Sequence, residues 1–184
     1  MAGDLHQRVV DLFCQINGRH RMTAADDSYV DRVFTPLATL CRAHGVRLEQ
    51  ARADILARLI PLPSYLRSDN TEMVPTRYLA VVEAAGGPTS LQAWFRRCWP
   101  DAGTAEAEWT DFVNGHYLCL RNPMPEDMRR KTELVERIKE FAGSPQPNSE
   151  EWLRQLHLAV DELDRIEQPF TDYDRLRFDG PAAD

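Results

Sequence analysis

The residues best suited to chemistry gather in one irregular stretch, LIPLPSYLRSDNTEMVPTRY, from Leu59 to Tyr78. Arg67 offers a forked donor to a carboxylate or phosphate. Asp69 and Glu72 bring carboxylates and Tyr65 a phenol. Polar side chains carried on such loops are disproportionately functional. We therefore expect Arg67 and Asp69 to bind a ligand, with Tyr65 and Glu72 as candidate acid–base groups. The competing reading is structural: Asp69 and Asn70 hold a turn, and Arg67 pairs with Glu72 across a hairpin.

Two further segments carry chemistry. His116, Tyr117, Cys119 and Arg121 fall within GHYLCLR. Arg121 is a second anion-binding candidate and Tyr117 a third acid–base candidate. His116 and Cys119 are spaced to share a helix face, and a Cys–His pair can make a nucleophile. A thiolate is disfavoured at the negative end of a helix, so a packed Cys119 is the simpler reading. In YDRLRF, Asp174 is expected to complete the pocket by pairing with Arg67 or Arg121. The alternative is a docked tail with surface ion pairs. The expected site is one pocket between the hairpin and the helix around Tyr117, where Arg67 and Arg121 hold a single anionic group.

Other chemistries are poorly served. His157, Asp161 and Asp164 share a helix face but lack a partner set for a metal. There is no HExxH, Glu-x-x-His or paired Cys-x-x-Cys, and no phosphate loop, dinucleotide fingerprint or nucleophile elbow. No metal and no cofactor is expected.

The elements that must position these residues read as mainly α. Leu5, Val9, Leu12, Phe13 and Ile16 recur at helical spacing, predicting a helix over 4–17. Thr23 caps a short helix containing Tyr29, Val30 and Val33. Two short helices meet at Gly45, and Pro61, Pro63 and Pro75 then break the pattern. Tyr65-Leu66-Arg67 and Glu72-Met73-Val74 flank the Ser68–Thr71 turn as a two-stranded hairpin. Pro75 and Pro88 each open a helix. A further helix is expected from Thr104 to Leu120, interrupted by Gly115. Two long helices around Leu134 and Leu156 should pair antiparallel, separated by the turn at Gly143–Pro147. The expectation is one helical, bundle-like domain over 1–184. It divides into a helix-turn-helix with a hairpin wing (22–86), a helical part (87–178) and a frayed tail (179–184).

Two resemblances follow from these motifs. The helix–turn–helix followed by a hairpin resembles the DNA-binding half of MerR and excisionase-type regulators. YLRSDNTEMVP, GHYLCLR and YDRLRF, in that order, resemble a family of small bacterial proteins labelled as a domain of unknown function associated with natural-product biosynthesis. That likeness runs from about Thr23 to Phe178. It implies a biosynthetic setting and no particular reaction.

Charge separates the two functional readings. Residues 1–60 hold 8 basic and 7 acidic side chains, whereas residues 101–184 hold 10 and 19. A nucleic-acid surface requires clustered Lys and Arg, so nucleic acid is an unfavoured partner and a small polar or anionic molecule the favoured one. No apolar run approaches the ~20 residues of a membrane span. The four cysteines are scattered and no secretion signal is visible, so a reducing cytoplasm is expected. The antiparallel helices also offer a surface for a homodimer.

Overall fold

The computed structural model describes residues 2–178. Helix α1 (Ala2–Asn17) packs on α4 (Leu48–Leu56) through a core containing Val9, Phe13, Ala51 and Ile55. Helix α2 (Ala24–Val33) starts at a reciprocal capping box: Thr23 Oγ1 accepts from the Asp26 amide, and the Asp26 carboxylate accepts from the Thr23 amide. Strand β1 (Thr35–Pro36) leads directly into α3 (Leu37–Ala43), which turns into α4. Strands β2 (Tyr65–Leu66) and β3 (Glu72–Val74) form the expected hairpin.

The third strand was not foreseen. β1 pairs antiparallel with β3, Thr35 opposite Val74 and Pro36 opposite Met73, giving the order β1-β3-β2. A two-residue strand ending in proline leaves almost no periodic signal, and an edge position tolerates the missing amide.

Helices α5 (Tyr78–Ala84), α6 (Pro88–Arg97) and α7 (Ala102–Val113) follow. Their core is aromatic, with Phe95 stacked on Phe112 at 4.8 Å between ring centroids. Helix α8 (Pro125–Gly143) and α9 (Glu150–Ile166) run antiparallel: Arg130 bonds Glu162 while Arg137, farther along, bonds Gln155. Thr171 caps α10 (Asp172–Phe178) by exchanging hydrogen bonds with Asp174. The mainly helical reading thus holds, with ten α-helices among the described residues. None of these is long and apolar enough to cross a membrane. The tail expected to fray at 179–184 lies outside the described residues.

One expected helix is divided. The stretch from Thr104 to Leu120 does not continue through Gly115; α7 ends at Val113, and a 3-10 turn (Tyr117–Cys119) follows. Gly115 has φ +76°, and the His116 amide bonds back to the Asp111 carbonyl, a Schellman closure. The glycine also permits close approach. A Cβ there would stand 2.7 Å from the Pro63 carbonyl oxygen and 3.0 Å from that of Leu62. The Leu62 amide meanwhile donates to the Val113 carbonyl at 3.0 Å. The proline-rich stretch is therefore docked on the end of α7.

Gly115→Ala is expected to destabilise the protein by about 2–3 kcal/mol, combining left-handed strain with displaced backbone. Gly86→Ala provides the comparison, since Gly86 has φ +84° but open space around it. It should cost only ~1 kcal/mol, from conformation alone. Urea denaturation of the two variants checks the difference.

Candidate functional site

The hairpin turn is held from two sides. The Thr71 amide donates to Asp69 Oδ1 at 3.0 Å, and hydrogen bonds from the Thr71 side chain and then its amide pull the Asp69 carboxyl below its usual range. Asn70 takes φ +64° at the tip. From α2, Asp27 accepts from the Ser68 amide at 3.0 Å and from the Ser68 hydroxyl. The turn is thereby fixed against α2.

Arg67 emerges beside this turn and does not pair with Glu72. Its nearest carboxylates are Asp31 at 3.4 Å, Asp27 at 3.9 Å and Asp69 at 4.0 Å. None of these contacts has hydrogen-bond geometry, and the Arg67 Nε is buried without a partner among the described residues. The charge is balanced while the donors stay uncommitted. Arg67 lines a cavity of about 370 Å³ between the hairpin, the C-terminal end of α1 and the Gly18–Met22 link. Arg19, His20 and Arg21 line it too, over an apolar floor that includes Phe13 and Tyr173. Among the described residues, no carboxylate lines it. The sequence reading passed over Arg19-His20-Arg21 as a basic link; three cationic or titratable residues in succession were the available signal. Cations just past a helix C-terminus offset its dipole, which accounts for Arg19 and Arg21. It does not account for a third arginine arriving from the hairpin.

Glu72 is occupied elsewhere. It is 4 % exposed and takes a two-pronged pair from Arg52 of α4, Nε to Oε1 at 2.9 Å and Nη2 to Oε2 at 2.8 Å. Arg52 also bonds Glu49 at 3.0 Å. These bonds, the Glu72 pair foremost, raise the Arg52 guanidinium above its usual range. Such a committed carboxylate holds α4 to the sheet.

Tyr65 is fully buried, and its hydroxyl donates to Asp174 Oδ1 at 2.8 Å. Burial first, and Asp174 second, push the phenol far above its ordinary range. Asp174 is also fully buried, its other oxygen accepting from the Thr171 amide and hydroxyl at 2.8 and 2.7 Å. Asp174 therefore pairs with neither Arg67 nor Arg121.

The arginine that does reach this region is Arg177, which the sequence reading did not single out. Nη1 donates to the Ser64 carbonyl and Nη2 to Asn17 Oδ1, both at 2.7 Å. The guanidinium lies over the rings of Phe13, Tyr65 and Phe178 at 5.0–5.7 Å. Burial lowers its pKa. YDRLRF is a docked tail that carries a surface pair, Arg175 with Asp172 at 3.7 Å, beside the buried contacts of Asp174 and Arg177.

The GHYLCLR segment contributes to other places. Tyr117 borders a cavity of about 20 Å³, little more than a water molecule requires. His116 bonds Asp111 at 3.2 Å and packs edge-on against Phe178. Its partner is not Cys119. Cys119 instead meets Lys131 of α8, and both line a second cavity, of about 520 Å³, together with Arg121. Arg67 and Arg121 thus belong to separate cavities and do not converge on one anion. Among the described residues no group of three or more His, Cys, Asp or Glu is placed to hold a metal.

Residues 95–179 match a family of unknown function, DUF6058. The matched segment runs from the end of α6 through α10 and contains Cys119, Arg121 and Asp174, but neither the hairpin nor Arg67. It is shorter than the span from Thr23 to Phe178 over which the motifs suggested a resemblance. The chain matches no curated protein and no solved structure.

Tyr65→Phe leaves one buried Asp174 oxygen without its donor and should cost about 1–3 kcal/mol. Arg177→Ala removes charge, stacking and two hydrogen bonds at once, and should cost about 3–5 kcal/mol, as when one member of a buried polar set is deleted. Equilibrium unfolding in urea, followed by circular dichroism, measures both.

Proposed function

We propose that this protein binds a small anionic molecule in the cavity beneath the hairpin, using Arg67 with Arg19, Arg21 and His20. The observation that carries this reading is Arg67 itself. It faces balancing carboxylates at 3.4–4.0 Å, yet makes no side-chain hydrogen bond among the described residues. A carboxylate or phosphate entering the cavity supplies the missing acceptors in the planar, two-pronged geometry that guanidinium groups favour. The apolar floor suits a ligand with a carbon skeleton. A specialised biosynthetic pathway is the setting we propose, resting on the resemblance of the three motifs. Tyr65 and Glu72 are consumed by structure, which favours a binding or accessory role for the hairpin over catalysis.

A second reading, a DNA-binding regulator, draws on the element order. From α2 onward the chain runs α-β-α-α-β-β with sheet order β1-β3-β2, which resembles a winged helix-turn-helix. Its would-be recognition helix, α4, is poorly equipped. Arg52 is spent on Glu72 and Glu49, Gln50 bonds Asp54, and Arg58 bonds Asn114. A phosphate-binding surface with so few uncommitted cations is weak.

Isothermal titration at low ionic strength with inorganic phosphate and with citrate tests the first reading. Saturable binding is expected, and Arg67→Gln should weaken it about tenfold or more, the worth of a charge-assisted hydrogen bond. Equal affinity in the variant would remove Arg67 from the site. For the second reading, a gel shift on random duplex DNA at two salt concentrations should show no salt-sensitive complex at micromolar protein. A retarded band that vanishes with added salt would reinstate it.

A further inference from the structure

The second cavity holds a set of side chains that the proposal above does not use. Cys119 Sγ lies 3.0 Å from Lys131 Nζ, and the same Nζ lies 2.8 Å from Glu167 Oε1. Three elements bring them together: the end of the 3-10 turn, the second turn of α8, and the residue that caps α9. The backbone fixes the arrangement. Gln168 donates to the Cys119 carbonyl at 2.7 Å, Arg121 donates to the Ile166 carbonyl at 3.0 Å, and Leu120 bridges Glu167 in antiparallel fashion. Leu120 is extended (φ −98°, ψ 133°) and fully buried between the last residue of the 3-10 turn, Cys119, and Arg121. Cys119 and Arg121 both line the cavity, together with Lys131, the carboxylates of Asp164 and Glu167, and Phe170. Arg121 is exposed and makes no side-chain ion pair among the described residues.

We propose that Cys119 is a nucleophile held by Lys131 and Glu167, and that Arg121 orients a small carboxylate-bearing electrophile in front of it. The chain of contacts suits a nucleophile stabilised by charge: the sulfur accepts from an ammonium, which is oriented in turn by a third residue, Glu167. Burial pulls the Lys131 ammonium down, but the Cys119 sulfur and Glu167 together outweigh it and leave the charged form favoured. An ammonium donating to sulfur stabilises the negative charge that an attacking thiolate must carry. In the step itself the thiol gives its proton to solvent, the thiolate paired with the Lys131 ammonium forms a bond to the electrophilic carbon, and the leaving group departs with its own bonding pair. No oxidant or reductant is required. A cavity of about 520 Å³ admits a small organic acid.

Cys98 supplies an internal reference, since its thiol bonds the Trp94 carbonyl and burial raises its pKa. The native protein is treated at neutral pH with iodoacetate or, separately, iodoacetamide, and modification of each cysteine is followed by peptide mass spectrometry. With iodoacetate, displacement of iodide at Cys119 should run about tenfold or more faster than at Cys98. Iodoacetate should also be preferred over iodoacetamide at Cys119 and not at Cys98. Arg121→Gln, an exposed substitution that leaves the fold intact, should abolish that preference while sparing the iodoacetamide rate. Lys131→Met should slow both reagents, with circular dichroism verifying its fold. Labelling of Cys119 no faster than Cys98, or an anion preference unchanged in Arg121→Gln, would overturn the proposal.

Discussion

The interaction on which the rest depends is the burial of two opposite charges from α10 around one tyrosine. Asp174 takes the Tyr65 hydroxyl, while Arg177 covers the Tyr65 ring and bonds Ser64 and Asn17. These contacts span 109 and 160 residues of sequence and close the C-terminal helix onto both α1 and the hairpin. Burying a carboxylate and a guanidinium is costly, and it is tolerated because nearly every polar atom finds a partner and an aromatic surface faces the cation. The hairpin is therefore not an appendage. It is clamped by α2 through Asp27, by α4 through the Arg52–Glu72 pair, and by α10 through Asp174 and Arg177.

This arrangement sorts the polar residues of the hairpin by the side of the sheet they occupy. Tyr65 faces the small aromatic core with Phe34 and Tyr173 and becomes structural. Glu72 faces α4 and becomes structural as well. Arg67 and Asp69 lie beyond the paired residues, at the turn. There the hairpin meets the cavity, which Leu66, Arg67, Ser68 and Asn70 line, whereas Tyr65 and Glu72 are enclosed. The two cavities differ in chemistry: one is bordered by arginines over an apolar floor, the other by a thiol, an ammonium, an arginine and two carboxylates.

Much of the scaffold was legible in the chain. Proline and glycine positions announced element ends, Thr23 announced a cap, and the period of the apolar residues announced α8 and α9 as a pair. The site was less legible. Partners of Glu72, Asp174 and Cys119 lie 20, 109 and 12 residues away, and nothing local in the sequence distinguishes Arg52 from Arg67 as the mate of Glu72. Lys131 gave only a compositional hint, being one of two lysines among 22 basic residues. Gly115 read as an interruption of the Thr104–Leu120 helix and not as its end, because a helical period continues across it; the glycine's packing against Pro63 is a tertiary fact.

What the sequence determined by itself was the helical class, the Thr23 cap and the hairpin, since each of these follows from short-range periodicity or backbone chemistry. Tertiary structure alone decided that Arg67 and Arg121 serve different cavities, that Asp174 ends on Tyr65, and that Cys119 ends on Lys131. The reason is physical: a charged side chain takes whichever opposite partner the packing of distant elements delivers, and that delivery is set by how helices dock, not by the residues beside it in the chain.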